Sequence, residues 1–194
     1  MDSMLYGLDI ETDTTTGGLD PSTSAIIAVA VSTADKTVQQ VFTGSEPTLL
    51  ADLHNFLNEL PSGIIVTWNG SSFDLQFIET RSKMFGIATR WELNPSKRPP
   101  KYSPVGGTPV RAVLGSHAHA DIAYAYQETA NTLNVPWSLK PVAVAFGMNP
   151  VEVDRENTHL LTASELHDYV VSDAYVTAVL ASRLTKYELD SCVD

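Results

Sequence analysis

Sulfur, positive charge and long apolar runs are all scarce in this chain. A single cysteine in 194 residues, Cys192, excludes an internal disulfide framework and any cysteine-rich zinc site. The longest apolar run, Ala25 to Val31, is too short to cross a bilayer, and the opening Met-Asp-Ser-Met carries neither the basic cluster nor the apolar core of a secretion signal. No membrane association is therefore expected, and a cytoplasmic location is. Twelve basic residues stand against 23 acids, and the resulting net charge of −11 argues against a polyanionic partner for the body of the chain. Their placement alters that argument. Between Arg81 and His119 seven cations (Arg81, Lys83, Arg90, Lys97, Arg98, Lys101, Arg111) face Glu92 alone, which leaves five cations against 22 acids elsewhere. Such a segment fits a nucleic-acid contact or a solvated loop neutralised by its own domain.

What is present is ordinary for a folded protein: 43% apolar residues, three tryptophans and a mean hydropathy of −0.03. The length suits one α/β domain over 1–194. Met4 to Ile10, Ala25 to Thr33 and Thr37 to Phe42 are rich in β-branched and apolar residues and are separated by turn signals at Gly17-Gly18, Asp20-Pro21 and Asp35-Lys36, which predicts three consecutive, antiparallel strands. Pro47 then opens a helix whose apolar positions Leu49, Leu53, Phe56, Leu57 and Leu60 recur at three and four, with His54 expected at the surface. Gly63 to Trp68 reads as a buried strand, followed by a turn and a helix containing Leu75, Phe77 and Ile78. Prolines 95, 99, 100, 104 and 109 with Gly106-Gly107 forbid a long helix, so about 86–117 is expected to be a basic loop or insertion. Its cations, interleaved with Trp91 and Tyr102, fit a flap over a nucleic-acid strand through Arg90, Lys97, Arg98, Lys101 and Arg111; partial disorder accounts for the same composition. Helices are predicted over Asp121 to Leu133 and Ser138 to Phe146. A last helix follows the capping box Thr162-Ala163-Ser164-Glu165.

Four acids draw attention. Asp9 and Glu11 are two apart on the first strand and so project to one face, where like charges oppose joint ionisation unless a cation or solvent offsets them. Asp74 falls in the first helical turn after a central strand, where α/β proteins gather their sites; the same position also favours an acid at a helix start capped by Ser71 or Ser72. Tyr169 and Asp173, four apart on the last helix, reach one small volume. His117 and His119, with Asp121 two further on, have the spacing of ligands, but the commoner reading of that pattern is a short strand leading into a helix capped by Asp121.

Asp9-Ile10-Glu11, Asn69-Gly70-Ser71-Ser72-Phe73-Asp74 and Tyr169-Val170-Val171-Ser172-Asp173 together resemble the three motifs of the DEDD superfamily of 3′–5′ exonucleases, in the right order. Tyr169, four residues before Asp173, matches the tyrosine branch, since the position five before, used by the histidine branch, is Asp168 here. The phrase from Asn69 to Ile78 and the stretch Ser138 to Gly147 are similar to the proofreading domains of family B DNA polymerases, without a following polymerase region. The resemblance implies a ribonuclease H-like fold, a mixed five-stranded sheet flanked by helices. It also implies that Asp9, Glu11, Asp74 and Asp173 hold two Mg²⁺ or Mn²⁺ ions, a hard oxygen site of the kind that places ions about 4 Å apart on either side of a reacting phosphorus. Tyr169 would orient the attacking water, Asn69 and Phe73 would line the cleft beside the terminal nucleotide, and the backbone at Ile10 and Thr12 would hold its sugar. The expected partner is a DNA or RNA 3′ end and the expected form a monomer or small homo-oligomer. No protein partner is indicated.

Overall fold

The computed structural model describes residues 3–16, 18–98 and 108–193. Among these residues seven strands form one mixed sheet: β1 (Met4–Thr12), β2 (Ile26–Ser32), β3 (Gln39–Thr43), β4 (Gly63–Thr67), β5 (Trp91–Pro95), β6 (Val110–Leu114) and β7 (His117–Asp121), in the spatial order β3-β2-β1-β4-β7-β6-β5. β1, β4 and β7 run parallel, and the others pair antiparallel. The two strands beyond the expected five come from the stretch read as a loop. There Trp91 and Leu93, with Ala112 and Leu114, turn inward, while Glu92, Asn94, Arg111 and Val113 face out. That two-residue period is too short-lived in five-residue strands to stand out among prolines, of which Pro95 and Pro109 sit at strand ends, where a missing N–H does least harm.

Alternation in β1 sets the layers. Tyr6, Leu8 and Ile10 pack with Leu49, Leu50 and Leu53 of α1 (Glu46–Glu59) and with Leu75 and Ile78 of α2 (Asp74–Met84). Ile64, Val66 and Ala120 face the other way, against α3 (Gln127–Leu133), α4 (Leu139–Ala145), α5 (Ala163–Ser182) and α6 (Lys186–Cys192). Helix α5 starts at the expected capping box, with Glu165 N–H donating to Thr162 Oγ1 at 3.3 Å and the Glu165 carboxylate accepting from Thr162 N–H at 2.8 Å. A second box, Thr185 with Glu188, starts α6.

Gly7 decides how close α5 comes to β1. A Cβ there would lie 2.0 Å from the Ala174 carbonyl oxygen and 2.9 Å from the Ala178 nitrogen, both rigid backbone. Gly7→Ala is expected to cost about 3 kcal/mol and lower Tm by roughly 6–12 °C in a circular dichroism melt. An unchanged Tm would show that the helix has room to retreat.

Three further expectations are corrected. His54 is buried, not at the surface; its Nε2 lies 2.9 Å from Ser82 Oγ and its ring meets Trp91 edge-on. The helix expected from Asp121 begins at Gln127, because Ile122 to Tyr126 form turns and Asp121 ends β7. The start of α2 has Phe73, with no side-chain hydrogen bond, where the alternative reading of Asp74 put a Ser71 or Ser72 cap. No described helix is long and apolar enough to cross a membrane.

Candidate active site

Three distant segments meet at one cleft of about 630 Å³, lined among others by Asp9, Ile10, Glu11, Thr12, Asn69, Phe73, Asp74, Tyr169 and Asp173. The face of β1 bearing Gly7 also bears Asp9 and Glu11, so the close approach at Gly7 brings Asp173, the residue before Ala174, against them. Ligand oxygens of Asp9, Glu11 and Asp173 all lie within 4.8 Å of one another. Asp74 stands outside that trio but near enough for its charge to act on Asp9. Burial, then the charges of Asp173, Asp74 and Glu11, hold the Asp9 carboxyl well above the usual range, with Lys140 opposing. Burial likewise pushes Asp74 up to about 7, against backbone hydrogen bonds at its own amide and that of Ile10, with Asp121 adding to the rise.

These shifts carry a stability consequence whose sign is definite. In the unfolded chain the carboxyls titrate near 4, so between there and their folded values the folded protein binds more protons, and stability falls as pH rises through about 7. His54, pushed down by burial, opposes this only below about 6.5, where an unfolded histidine protonates. In chelator the protein is therefore expected to be more stable at pH 6.5 than at pH 8, by about 1 kcal/mol from Asp74 alone. Thermal melts at the two pH values measure it. Asp74→Asn should shrink the difference, and a rise in Tm from pH 6.5 to 8 would contradict it.

Lys140 is the functional candidate that sequence reasoning missed. Its ammonium is buried 3.6 Å from Asp173 Oδ1 and 3.8 Å from Glu152, donates to the Val151 carbonyl and lies 3.9 Å from the centre of the Tyr169 ring. The signal was a lysine in the first turn of an otherwise apolar helix, where a cation is disfavoured by the helix dipole. The donor set fits divalent cations: hard oxygens converge, and one ammonium balances only part of the charge of Asp9, Glu11, Asp74 and Asp173.

The remaining expected contacts are placed less simply. Ile10 and Thr12 both line the cleft; the Ile10 amide serves Asp74, and the Thr12 hydroxyl donates to the Gly18 carbonyl at 2.6 Å. Asn69 adopts a left-handed φ of 67°, and its buried Oδ1 has no hydrogen-bond partner among the described residues. Phe73 packs on Phe77 at the cleft wall. Thr14 Oγ1, 2.7 Å from His159 Nδ1, joins the two loops at the rim.

The described strands of the basic stretch, β5 and β6, lie at the far side of the sheet, with β5 four strand spacings, about 19 Å, from β1. Arg98 binds the Ser191 and Cys192 carbonyls and lies over Tyr124, which makes it an anchor for the end of α6. Arg81 pairs with Glu46, and Lys83 with Glu79. Arg90, Lys97 and Arg111 are exposed, and Lys101 lies outside the described residues. His117 and His119 are buried and bonded to the Leu57 carbonyl and to Thr67 Oγ1, each at 2.8 Å, so the His-x-His pair is structural.

A sequence model of the RNase H superfamily matches residues 7–168. The structure of the family B DNA polymerase from the hyperthermophilic archaeon Pyrobaculum calidifontis superposes with a TM-score of 0.68 at 21% identity over 95% of this chain, which spans 25% of that polymerase. That likeness is one of fold. No curated protein matches the sequence.

Proposed function

The chain belongs to the RNase H superfamily, and from that premise we propose that it is a metal-dependent 3′–5′ exonuclease of the tyrosine branch of the DEDD group, its site built on one domain over 1–194. One observation carries this: Asp9, Glu11 and Asp173, brought from opposite ends of the chain, crowd within 4.8 Å beside Asp74, with Tyr169 one helical turn from Asp173. So dense a cluster is unfavourable by itself and favourable around divalent cations.

Asp9, Glu11, Asp74 and Asp173 would hold two Mg²⁺ or Mn²⁺ ions. Bound there, such ions supply positive charge for the attacking and leaving oxygens of a displacement at phosphorus. Tyr169, buried at its ring and lining the cleft, orients the attacking water through its hydroxyl. Lys140 sets a positive charge beside Asp173 and over the face of the Tyr169 ring, which fixes the phenol's position. Phe73 and Asn69 hold the terminal nucleotide in the cleft. Products are nucleoside 5′-monophosphates, and single-stranded or frayed ends are preferred, since melting each duplex step costs about 1–2 kcal/mol.

A free-ended and a 3′-blocked oligonucleotide, in DNA and RNA forms with Mg²⁺ or Mn²⁺, test the reading. Stepwise shortening from the free 3′ end alone is expected. Internal cutting of the blocked strand points instead to an endonuclease, and binding without cutting to a nucleic-acid-binding module.

A further inference from the structure

We infer that Asp121 is a positioning residue: its buried carboxylate anchors the turn from Asn69 to Ser72 and thereby holds Asp74 at the cleft. Asp121 is 1% exposed and ends β7 beside Thr67, the last residue of β4. Oδ1 accepts from the Asn69 amide at 2.9 Å and the Ala123 amide at 3.2 Å; Oδ2 accepts from the Ser71 amide at 3.2 Å and the Ser71 hydroxyl at 2.5 Å. Four donors thus converge on one carboxylate, three of them backbone amides, which balance its charge in the manner of an anion nest.

The turn needs such an anchor. Asn69 is left-handed, and Gly70 sits so tightly on Thr67 that a Cβ would meet its Oγ1 at 2.3 Å. From the opposite side the Ser71 carbonyl accepts from Val110 N–H at 2.9 Å and Gln76 Nε2 at 2.8 Å. Ser71 is thus clamped between β7 and the β5–β6 hairpin, and Asp74 follows three residues later as the first residue of α2, its carboxylate against the Ile10 amide. Only a carboxylate accepts from all four donors; an amide in its place would turn an NH₂ toward an N–H.

The inference rests on the nuclease reading for its kinetic arm alone, since the position of Asp74 is measured separately. In Asp121→Asn, assayed below its Tm on a single-stranded oligonucleotide, kcat is expected to fall about 100-fold with KM within about 3-fold, and a crystal structure should show the Asp74 carboxylate displaced by about 1 Å from the Ile10 amide. A lower Tm with Asp74 in place and kcat unchanged would make Asp121 purely structural and overturn the inference. Should wild-type protein show no nuclease activity, the function reading fails while the crystal structure still decides this one. If Asp121→Asn does not fold, Ser71→Ala removes only the shortest of the four bonds. It is expected to lower kcat about 5-fold at unchanged KM, and an unaltered kcat there counts against the anchor.

Discussion

Asp9→Ala is expected to abolish turnover, by more than about 10³-fold or ~4 kcal/mol of transition-state stabilisation, while the protein stays folded. Both halves follow from one geometry. Asp9 is the member of the cluster on which the charges of Asp173, Asp74 and Glu11 all bear, so it stands where a cation would be shared. For the same reason its carboxylate destabilises the metal-free protein, and removing it relieves desolvation and repulsion together. Tm in chelator should therefore hold or rise, and the gain in Tm that Mg²⁺ or Mn²⁺ gives wild-type protein should shrink. Gel assays on a labelled oligonucleotide and paired melts check the two halves. Activity within tenfold of wild type would remove Asp9 from the site.

Lys140→Met should lower kcat about 100-fold, ~2.7 kcal/mol, with KM for the oligonucleotide little changed. The ammonium is the buried positive charge beside Asp173 and at the same time the group over Tyr169, so its loss leaves an acid without its cation and a phenol without its support. Methionine keeps most of the volume, which confines the effect to charge and hydrogen bonding. Lys140→Gln separates these two, since it can still donate to the Val151 carbonyl while the charge is gone. A similar loss in both variants assigns the effect to charge. Full activity in the glutamine variant would reduce Lys140 to a tether for Val151.

Physical chemistry explains which parts of this arrangement were legible. Asp9 and Glu11 were readable as a same-face pair because strand period is exact over two residues, and Tyr169 with Asp173 because helical period is nearly so over four. The capping box at Thr162 is a local hydrogen-bonding pattern, and it stands where the sequence placed it. The hairpin of β5 and β6 was hidden because five-residue strands with Pro95 and Pro109 at their ends look like loop until a partner strand supplies the other half of the pattern. Arg98 looked like a free cation because nothing local records that it reaches the carbonyls at the end of α6, 93 and 94 residues away. Lys140 and Asp121 were obscured for a related reason: each acts on groups from another segment, and a charge has no periodicity to betray its partner.

The sequence by itself determined the element types around the site, the faces of β1 and α5, and the acids these elements carry, since all are set by neighbours within a turn or a strand repeat. Only the tertiary structure decided that the acids share one volume. That depends on the bare backbone of Gly7, which lets α5 approach closely enough to set Asp173 beside Asp9, and on Asp121 and the hairpin, which grip the turn ahead of Asp74 from both sides. Such distances are settled by packing between segments far apart in the chain, and no local pattern encodes them.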